Sequence, residues 1–256
     1  MPPPLPNLAT CRKIGFIVPS SNTALEPLTT ALLSSLPQSS TIIPLFTRIR
    51  VTTVGTDPRS TSQFSPQLLI AAALLLADAQ ADAILWNGTS GMWVGAGLEA
   101  DRELARLMAE ATGVPCSTTT LATVAALEKL QVRRLGIAVD PRVLAEKVGE
   151  FFGPTGCGWE VVGLAVLDPV PGGNLAIAKS GMGEIEEVVR RAAGGGAQAV
   201  VVACTNWPAA GIIEKVEAVD DVVVIDSIVV TGWQGLRMVG YHDLVPGWGR
   251  LMAEVV

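Results

Sequence analysis

Cys204 closes an apolar run, Gln198-Ala-Val-Val-Val-Ala-Cys204-Thr205-Asn206. A second run of the same design, Asp82-Ala-Ile-Leu-Trp-Asn-Gly88-Thr89-Ser90, carries Gly88 where the other carries the thiol. Each reads as a buried strand, a small polar turn and then a helical stretch. In a chain of two similar halves these turns face each other across a cleft, with a thiol on one side and nothing on the other. A thiol there can give a proton to a carbanion or attack a carbon. Free cysteine titrates at roughly 8.5 and a helix N-terminus lowers it, so the position predicts a depressed value. A free thiol also packs as a small buried hydrophobe; the strand-end position favours the chemical role. Cys11, Cys116 and Cys157 lack such a context and read as structural.

Three polar turns lie at expected strand ends: Pro19-Ser20-Ser21-Asn22-Thr23, Asn87-Gly88-Thr89-Ser90-Gly91 and Cys204-Thr205-Asn206. Pro171-Gly-Gly-Asn174 is a fourth. Taken singly, Ser, Thr and Asn before a helix are caps. Converging on one cleft, they form an anion site of helix N-termini and neutral donors. Ser20, Asn22, Thr89, Ser90, Thr205 and Asn206 would supply those donors. No Arg or Lys lies inside these motifs, so a carboxylate or enolate would be held as in an oxyanion hole. Trp86, Met92, Trp93 and Trp207 flank the two paired turns, as core filler or as an apolar wall of the cleft. Such a wall raises the energy of a carboxylate beside it.

These turns need parallel strands to carry them. Continuous apolar runs at 14–18, 41–46, 83–86, 135–139, 160–166, 199–203 and 222–225 alternate with helical patterns. That order predicts α/β architecture with strands covered on both faces. Lys13-Ile-Gly-Phe-Ile-Val and Arg134-Leu-Gly-Ile-Ala-Val open two similar stretches. The expected fold is therefore two pseudo-symmetric lobes, each a mostly parallel sheet flanked by helices, with the active site in the cleft between them. Residues 11–120 and 121–256 make the lobes, residues 1–10 a flexible tail, and the C-terminal segment is expected to pack back on the first lobe. In open parallel sheets ligands bind beyond the carboxyl ends of the strands.

Composition narrows the partners. The chain has 256 residues, 49% hydrophobic and 16% charged, with a formal net charge of −6. That charge argues against nucleic acid and anionic membrane surfaces. The longest apolar run, 68–77, is too short to span a bilayer, and the start lacks the pattern of a signal peptide. Four scattered cysteines suggest a reducing compartment, so a cytoplasmic protein is expected. One histidine, His242, with no clustered ligands predicts no metal site. No organic cofactor is expected, and the oligomeric state, a homo-oligomer included, stays open.

Together the motifs resemble the aspartate/glutamate racemase superfamily, in the branch that holds maleate cis-trans isomerase and arylmalonate decarboxylase. The resemblance rests on Val18-Pro-Ser-Ser-Asn22-Thr23, Trp86-Asn-Gly88-Thr89-Ser90-Gly91, Val132-Arg-Arg-Leu-Gly-Ile, Asn174 and Ala203-Cys204-Thr205-Asn206. It implies two lobes, no cofactor and, in most members, one thiol on each side of a substrate carbon. Gly88 replaces the first thiol. The Gly88-Thr89-Ser90 turn is similar to the decarboxylase, whereas Ser20, Ser21, Asn22, Asn174, Thr205 and Asn206 resemble the isomerase. The resemblance implies Thr89 and Ser90 as oxyanion donors and Cys204 as proton donor. A tyrosine usual after the strand opening the second half is missing; Val139-Asp140-Pro141 stands there. The leading expectation is decarboxylation of a malonate-type acid with Cys204 protonating the enolate. A single-cysteine cis-trans or double-bond isomerase and a carboxylate-binding relative without catalysis are the alternatives.

Overall fold

The computed structural model describes residues 10–37, 42–167 and 174–255. Most of the expected tail, Thr41 and the Pro171-Gly-Gly segment lie outside the described residues. In the first lobe β1 (Arg12–Pro19), α1 (Leu25–Ser34), β2 (Ile42–Ile49), α2 (Pro58–Thr61), α3 (Pro66–Asp78), β3 (Ala83–Trp86), α4 (Leu98–Thr112), β4 (Cys116–Thr118) and α5 (Thr119–Lys129) follow in order. The second holds β5 (Arg134–Val139), α6 (Ala145–Phe152), β6 (Glu160–Val166), α7 (Asn174–Ile177), α8 (Met182–Ala193), β7 (Ala199–Val202), α9 (Ile213–Asp220), β8 (Val223–Asp226), α10 (Ser227–Met238) and α11 (Arg250–Glu254).

Each sheet has four parallel strands, in the orders β2-β1-β3-β4 and β6-β5-β7-β8. The two orders are the same permutation, so the repeat in the sequence is a repeat of topology. Strand order reverses between β1 and β3, and again between β5 and β7. Loops there leave toward opposite faces and open a crevice at the carboxyl edge. The register is equally matched. Ile17 pairs with Trp86, which sets Pro19 and Gly88 two residues beyond the last pair. Ala138 pairs with Val202, which sets Asp140 and Cys204 at the same places in the second lobe.

Burial on both faces explains the uninterrupted apolar strands. Every residue of β3, β7 and β8 is buried. Three short elements escaped the sequence pattern. Strand β4 is only three residues, α7 is a single turn, and α2 with the 3₁₀ turn Ser62–Phe64 is too short to show a period. Within Pro58–Asp78, 21 residues, an 18-residue window reaches a mean hydropathy of 1.2, which passes a test of length and composition alone for a membrane span. Its apolar part is α3 alone, 13 residues set off from the 3₁₀ turn by the extended Ser65, so the apolar run at 68–77 is as short as the sequence shows. Here it is a covering layer: Leu69, Ala72, Ala73 and Leu76 are buried, and α3 packs on β1 and β2. The C-terminal helix α10 packs on α1, α5 and β3, so the second half does lean back on the first sheet. We propose the lobes as residues 11–120 and 121–256, a boundary that falls inside α5, whose packing on α4 and β4 ties it to the first lobe.

Close approach of helix to sheet depends on glycine at matched positions. A Cβ on Gly136 of β5 or on Gly163 of β6 would lie 2.2 Å from the Ala192 carbonyl oxygen of α8. Both glycines let the end of α8 rest on the strands, and a backbone carbonyl cannot rotate out of the way. At the matching Gly15 of β1 the neighbour is the flexible tip of Leu76, at 2.9 Å. Gly136→Ala should therefore destabilise by about 1–3 kcal/mol through overpacking, and Gly15→Ala by less. Urea unfolding of the two variants checks the order; equal midpoints would contradict it.

Candidate active site

Four strand-end turns meet at a small cavity of about 40 Å³. Its polar lining comes from Asn22 after β1, Gly88, Thr89 and Ser90 after β3, Asp140 after β5, Cys204, Thr205 and Asn206 after β7, and Asn174 at the start of α7. Its apolar lining includes Val51, Val54, Phe64, Trp86, Trp93 and Leu144. The sequence brought most of these together. Ser20 is an exception: it is exposed, and its hydroxyl is engaged with the Val51 backbone. Ser21 does not line the cavity but accepts a hydrogen bond from Asn174 Nδ2 at 2.7 Å. Met92 and Trp207 are fully buried in the core and away from the cleft. Their apolar runs looked like cleft wall because strand-end and core aromatics share one pattern.

The lobes are tied together by the amides expected to bind substrate. Asn22 Nδ2 donates to the Thr205 carbonyl at 2.9 Å and to its hydroxyl at 3.2 Å. Asn206 Oδ1 accepts from the Thr23 amide at 3.0 Å, while its Nδ2 donates to the Asn174 carbonyl. Asn22 Oδ1 also accepts from the amides of Ala24 and Leu25 at the start of α1. Arg48 braces this turn by donating to the Ser20 and Asn22 carbonyls, and is itself paired with Glu26. Asn22 and Asn206 thus have much of their hydrogen-bonding capacity spent inside the protein.

The turn after β3 is less committed. Thr89 and Ser90 open a 3₁₀ helix, Thr89–Met92, whose first amides lie outside its own ladder. The Ser90 hydroxyl accepts from Trp86 Nε1 at 3.0 Å and keeps its proton to donate. No partner for the Thr89 hydroxyl occurs among the described residues. Asp101 braces the turn from below, accepting from Thr118. A Cβ on Gly91 would lie 2.1 Å from Asp101 Oδ1. Burial pushes Asp101 up to about 6, against the lowering effect of Thr118 and Thr120.

Gly88 does not leave a vacant wall. A Cβ there would sit 2.3 Å from Trp86 Cζ2, so the indole already covers the α-carbon. Phe64 packs on Trp93 edge to face, with ring centroids 5.2 Å apart, and tilts against Trp86 at 6.1 Å. The side facing the thiol is therefore an aromatic wall, with Phe64 a member that sequence reading missed. Trp93 Nε1 is buried in it without an acceptor among the described residues.

Cys204 is 7% exposed and lines the cavity. Its thiol is pushed up to about 12 by burial, and further by the charges of Asp140 and Asp226, against lowering by the Asn206 and Trp207 amides. The expected depression is therefore overturned. The reason is local structure: Thr205–Trp207 is a turn, and the next element is a 3₁₀ helix from Ala209, so no α-helix starts at the thiol. Asp140, 4% exposed, is the group sequence reading passed over. Desolvation alone raises it to about 6. The repeat could have found it, since Asp140 occupies in β5 the place of Pro19 in β1. No group of three or more His, Cys, Asp or Glu among the described residues is placed to hold a metal.

Two like-folded parallel α/β lobes closing on a thiol-bearing cleft define the class of protein. Residues 58–252 match the family model for arylmalonate decarboxylase, and the chain belongs to that family. A curated relative, the arylmalonate decarboxylase of Bordetella bronchiseptica, is 29% identical over 156 residues. That match covers 57% of this chain and spans 61% of the relative's length. The maleate isomerase Iso of Pseudomonas putida S16 has the same fold, with a TM-score of 0.86 and 24% identity over 96% of this chain and 100% of its own. So has a variant of Nocardia farcinica maleate cis-trans isomerase holding a covalent succinylcysteine intermediate, with a TM-score of 0.85 and 23% identity over 96% and 100%.

Gly88→Ala should lower stability by about 1–3 kcal/mol because the indole must move. Trimming the indole with Trp86→Leu should partly relieve that cost, giving a coupling of roughly 0.5 kcal/mol or more in a double-mutant cycle. Additive effects would show that the ring does not cover Gly88.

Proposed function

We propose that this chain is a cofactor-independent enzyme acting on a small carboxylic acid, and that it decarboxylates a malonate-type substrate. The observation that carries the reading is one buried thiol, neutral at working pH, in a cleft whose described lining has hydroxyls and indoles and no Lys or Arg. One carboxylate leaves as carbon dioxide. Its bonding electrons pass to the α-carbon and delocalise onto the remaining carboxylate as an enediolate. Thr89, Ser90 and the amides of their turn stabilise that charge, as pre-aimed donors do best in a dry site. The Cys204 S–H bond then breaks, the proton goes to the α-carbon, and the thiolate recovers a proton before the next cycle.

The raised thiol favours an acid over a nucleophile. Attack needs a thiolate, and burial suppresses it here. Protonation of a carbanion needs only the neutral thiol, which is a far stronger acid than the carbon it serves. Isomerisation by addition of sulfur to a double bond is the second reading, favoured by the shared architecture with the maleate isomerases. No disulfide joins Cys116, Cys157 or Cys204, which suits the cytoplasmic setting we propose.

Incubation with phenylmalonate in deuterium oxide tests this directly. Carbon dioxide release with one solvent deuteron placed on a single face is the expected result. Conversion of maleate to fumarate with no gas would instead establish the isomerase. Cys204→Ala should reduce kcat by about 10²–10⁴-fold, the usual worth of a general acid, with circular dichroism unchanged. A neutral thiol also predicts kcat level from about pH 6 to about pH 9; a rise across that range would indicate a thiolate mechanism.

A further inference from the structure

We propose that Asp140 works as a neutral carboxylic acid that donates a hydrogen bond to one carboxylate of the substrate, so that binding draws a proton into the cleft. This deepens the reading of the site as one for a dicarboxylic acid and rests on it. The geometry is that of paired strand ends: Asp140 and Cys204 stand two residues beyond Ala138 and Val202, on neighbouring strands, and both line the cavity. Among the described residues nothing donates a hydrogen bond to the Asp140 carboxyl and no cation lines the cavity with it. A malonate brings two negative charges. The Thr89–Ser90 turn can hold one carboxylate, and the other must lie toward the Asp140 side of a small cavity. An ionised Asp140 would repel it in a dry, cation-free space; a protonated one supplies the missing donor.

The surroundings point the same way. Asp226, at the end of β8, is fully buried and accepts two amide hydrogen bonds from α10. Cys204 contributes a neutral thiol. The turn after β3 has no titratable group in the lining, and Asp101 lies beneath it. Arg142, Glu146, Lys147 and Glu150, on the 3₁₀ turn and α6 that follow Asp140, are all exposed. No described basic side chain is thus placed in the cavity to hold Asp140 ionised. Burial already raises it to about 6, and an adjacent substrate anion raises an acid further. The sign follows. Free enzyme has Asp140 protonated below about 6 and ionised above; the complex keeps it protonated to higher pH, so affinity falls as pH rises above about 6.

The test is calorimetric titration of the whole protein with malonate, whose carbanion has no stabilising substituent, so that binding precedes turnover. Repeating it at about pH 8 in buffers of different ionisation enthalpy counts protons. Nearly one proton taken up per malonate is expected, with affinity dropping roughly tenfold per pH unit from about pH 7 to about pH 8. Asp140→Asn keeps the size and a donor but cannot titrate. Its affinity should be flat with pH and, at about pH 8, roughly a hundredfold tighter than that of the parent. Asp140→Ala should bind weakly at every pH. Malonate binding with no proton uptake, or an Asn variant as pH-dependent as the parent, overturns the role of Asp140 and leaves the decarboxylase reading standing. Failure of the parent to bind malonate at any pH from about 5 to about 8 overturns both. If Asp140→Asn does not fold, the proton count on the unaltered protein decides.

Discussion

The cleft exists because two lobes are held in register by buried amides. Asn22 of the first lobe reaches Thr205 of the second, and Asn206 of the second reaches Thr23 of the first. Asn174 closes the belt by donating to Ser21 and accepting from Asn206. Each of these groups is costly to bury alone, because a stranded polar group forfeits its water without return. Parting the lobes at these turns would break several of these hydrogen bonds at once, each with a net worth of about 0.5–1.5 kcal/mol. The belt runs beside Cys204 without consuming Thr89 or Ser90. On the proposed chemistry, holding the cleft shut and stabilising charge within it fall to different turns.

Closure has one dominant electrostatic consequence. Desolvation is the largest influence on Cys204, Asp140, Asp226 and Asp101, and it moves each of them toward its neutral form. The same burial that makes the thiol a poor nucleophile makes it a proton carrier whose proton is present throughout the physiological range. It also makes anionic substrate charge expensive unless donors meet it. The site therefore favours a reaction that disposes of a carboxylate, provided the charge left behind falls where donors already point.

Much of this was legible in one dimension, for a physical reason. Parallel strands covered on both faces must be apolar throughout, so seven of the strands stood out as runs, and the residue after each run had to lie at the carboxyl edge. Cys204, Gly88, Thr89, Ser90, Asn22, Asn174, Thr205 and Asn206 reached the cavity by that rule. What failed depended on contacts that sequence spacing does not encode. Ser20 turns outward to the Val51 backbone although its neighbour Asn22 turns in. Trp207 and Met92 point into the core, whereas Trp93 and Phe64 face the cleft. The thiol's environment was misjudged because a turn, not an α-helix, follows it. Asp140 was visible as the counterpart of Pro19 in the repeat, but polar turns drew attention from a lone acid before a proline.

The filled wall changes how the lone thiol should be understood. A glycine opposite a cysteine suggests room, and room in an enzyme cleft means water. Water there could protonate a carbanion from the face away from Cys204 and erase any stereochemical preference. The Trp86 indole lies over Gly88, is held by its hydrogen bond to Ser90, and is backed by Phe64. Ser90 is the anchor of the ring and, on the proposed chemistry, also a donor to developing charge. Glycine at 88 is required to let the ring lie flat, and the ring keeps that face dry. On the proposed chemistry, facial selectivity then follows from two separate features: a proton source on one side, and on the other an aromatic surface that can neither donate nor accept one.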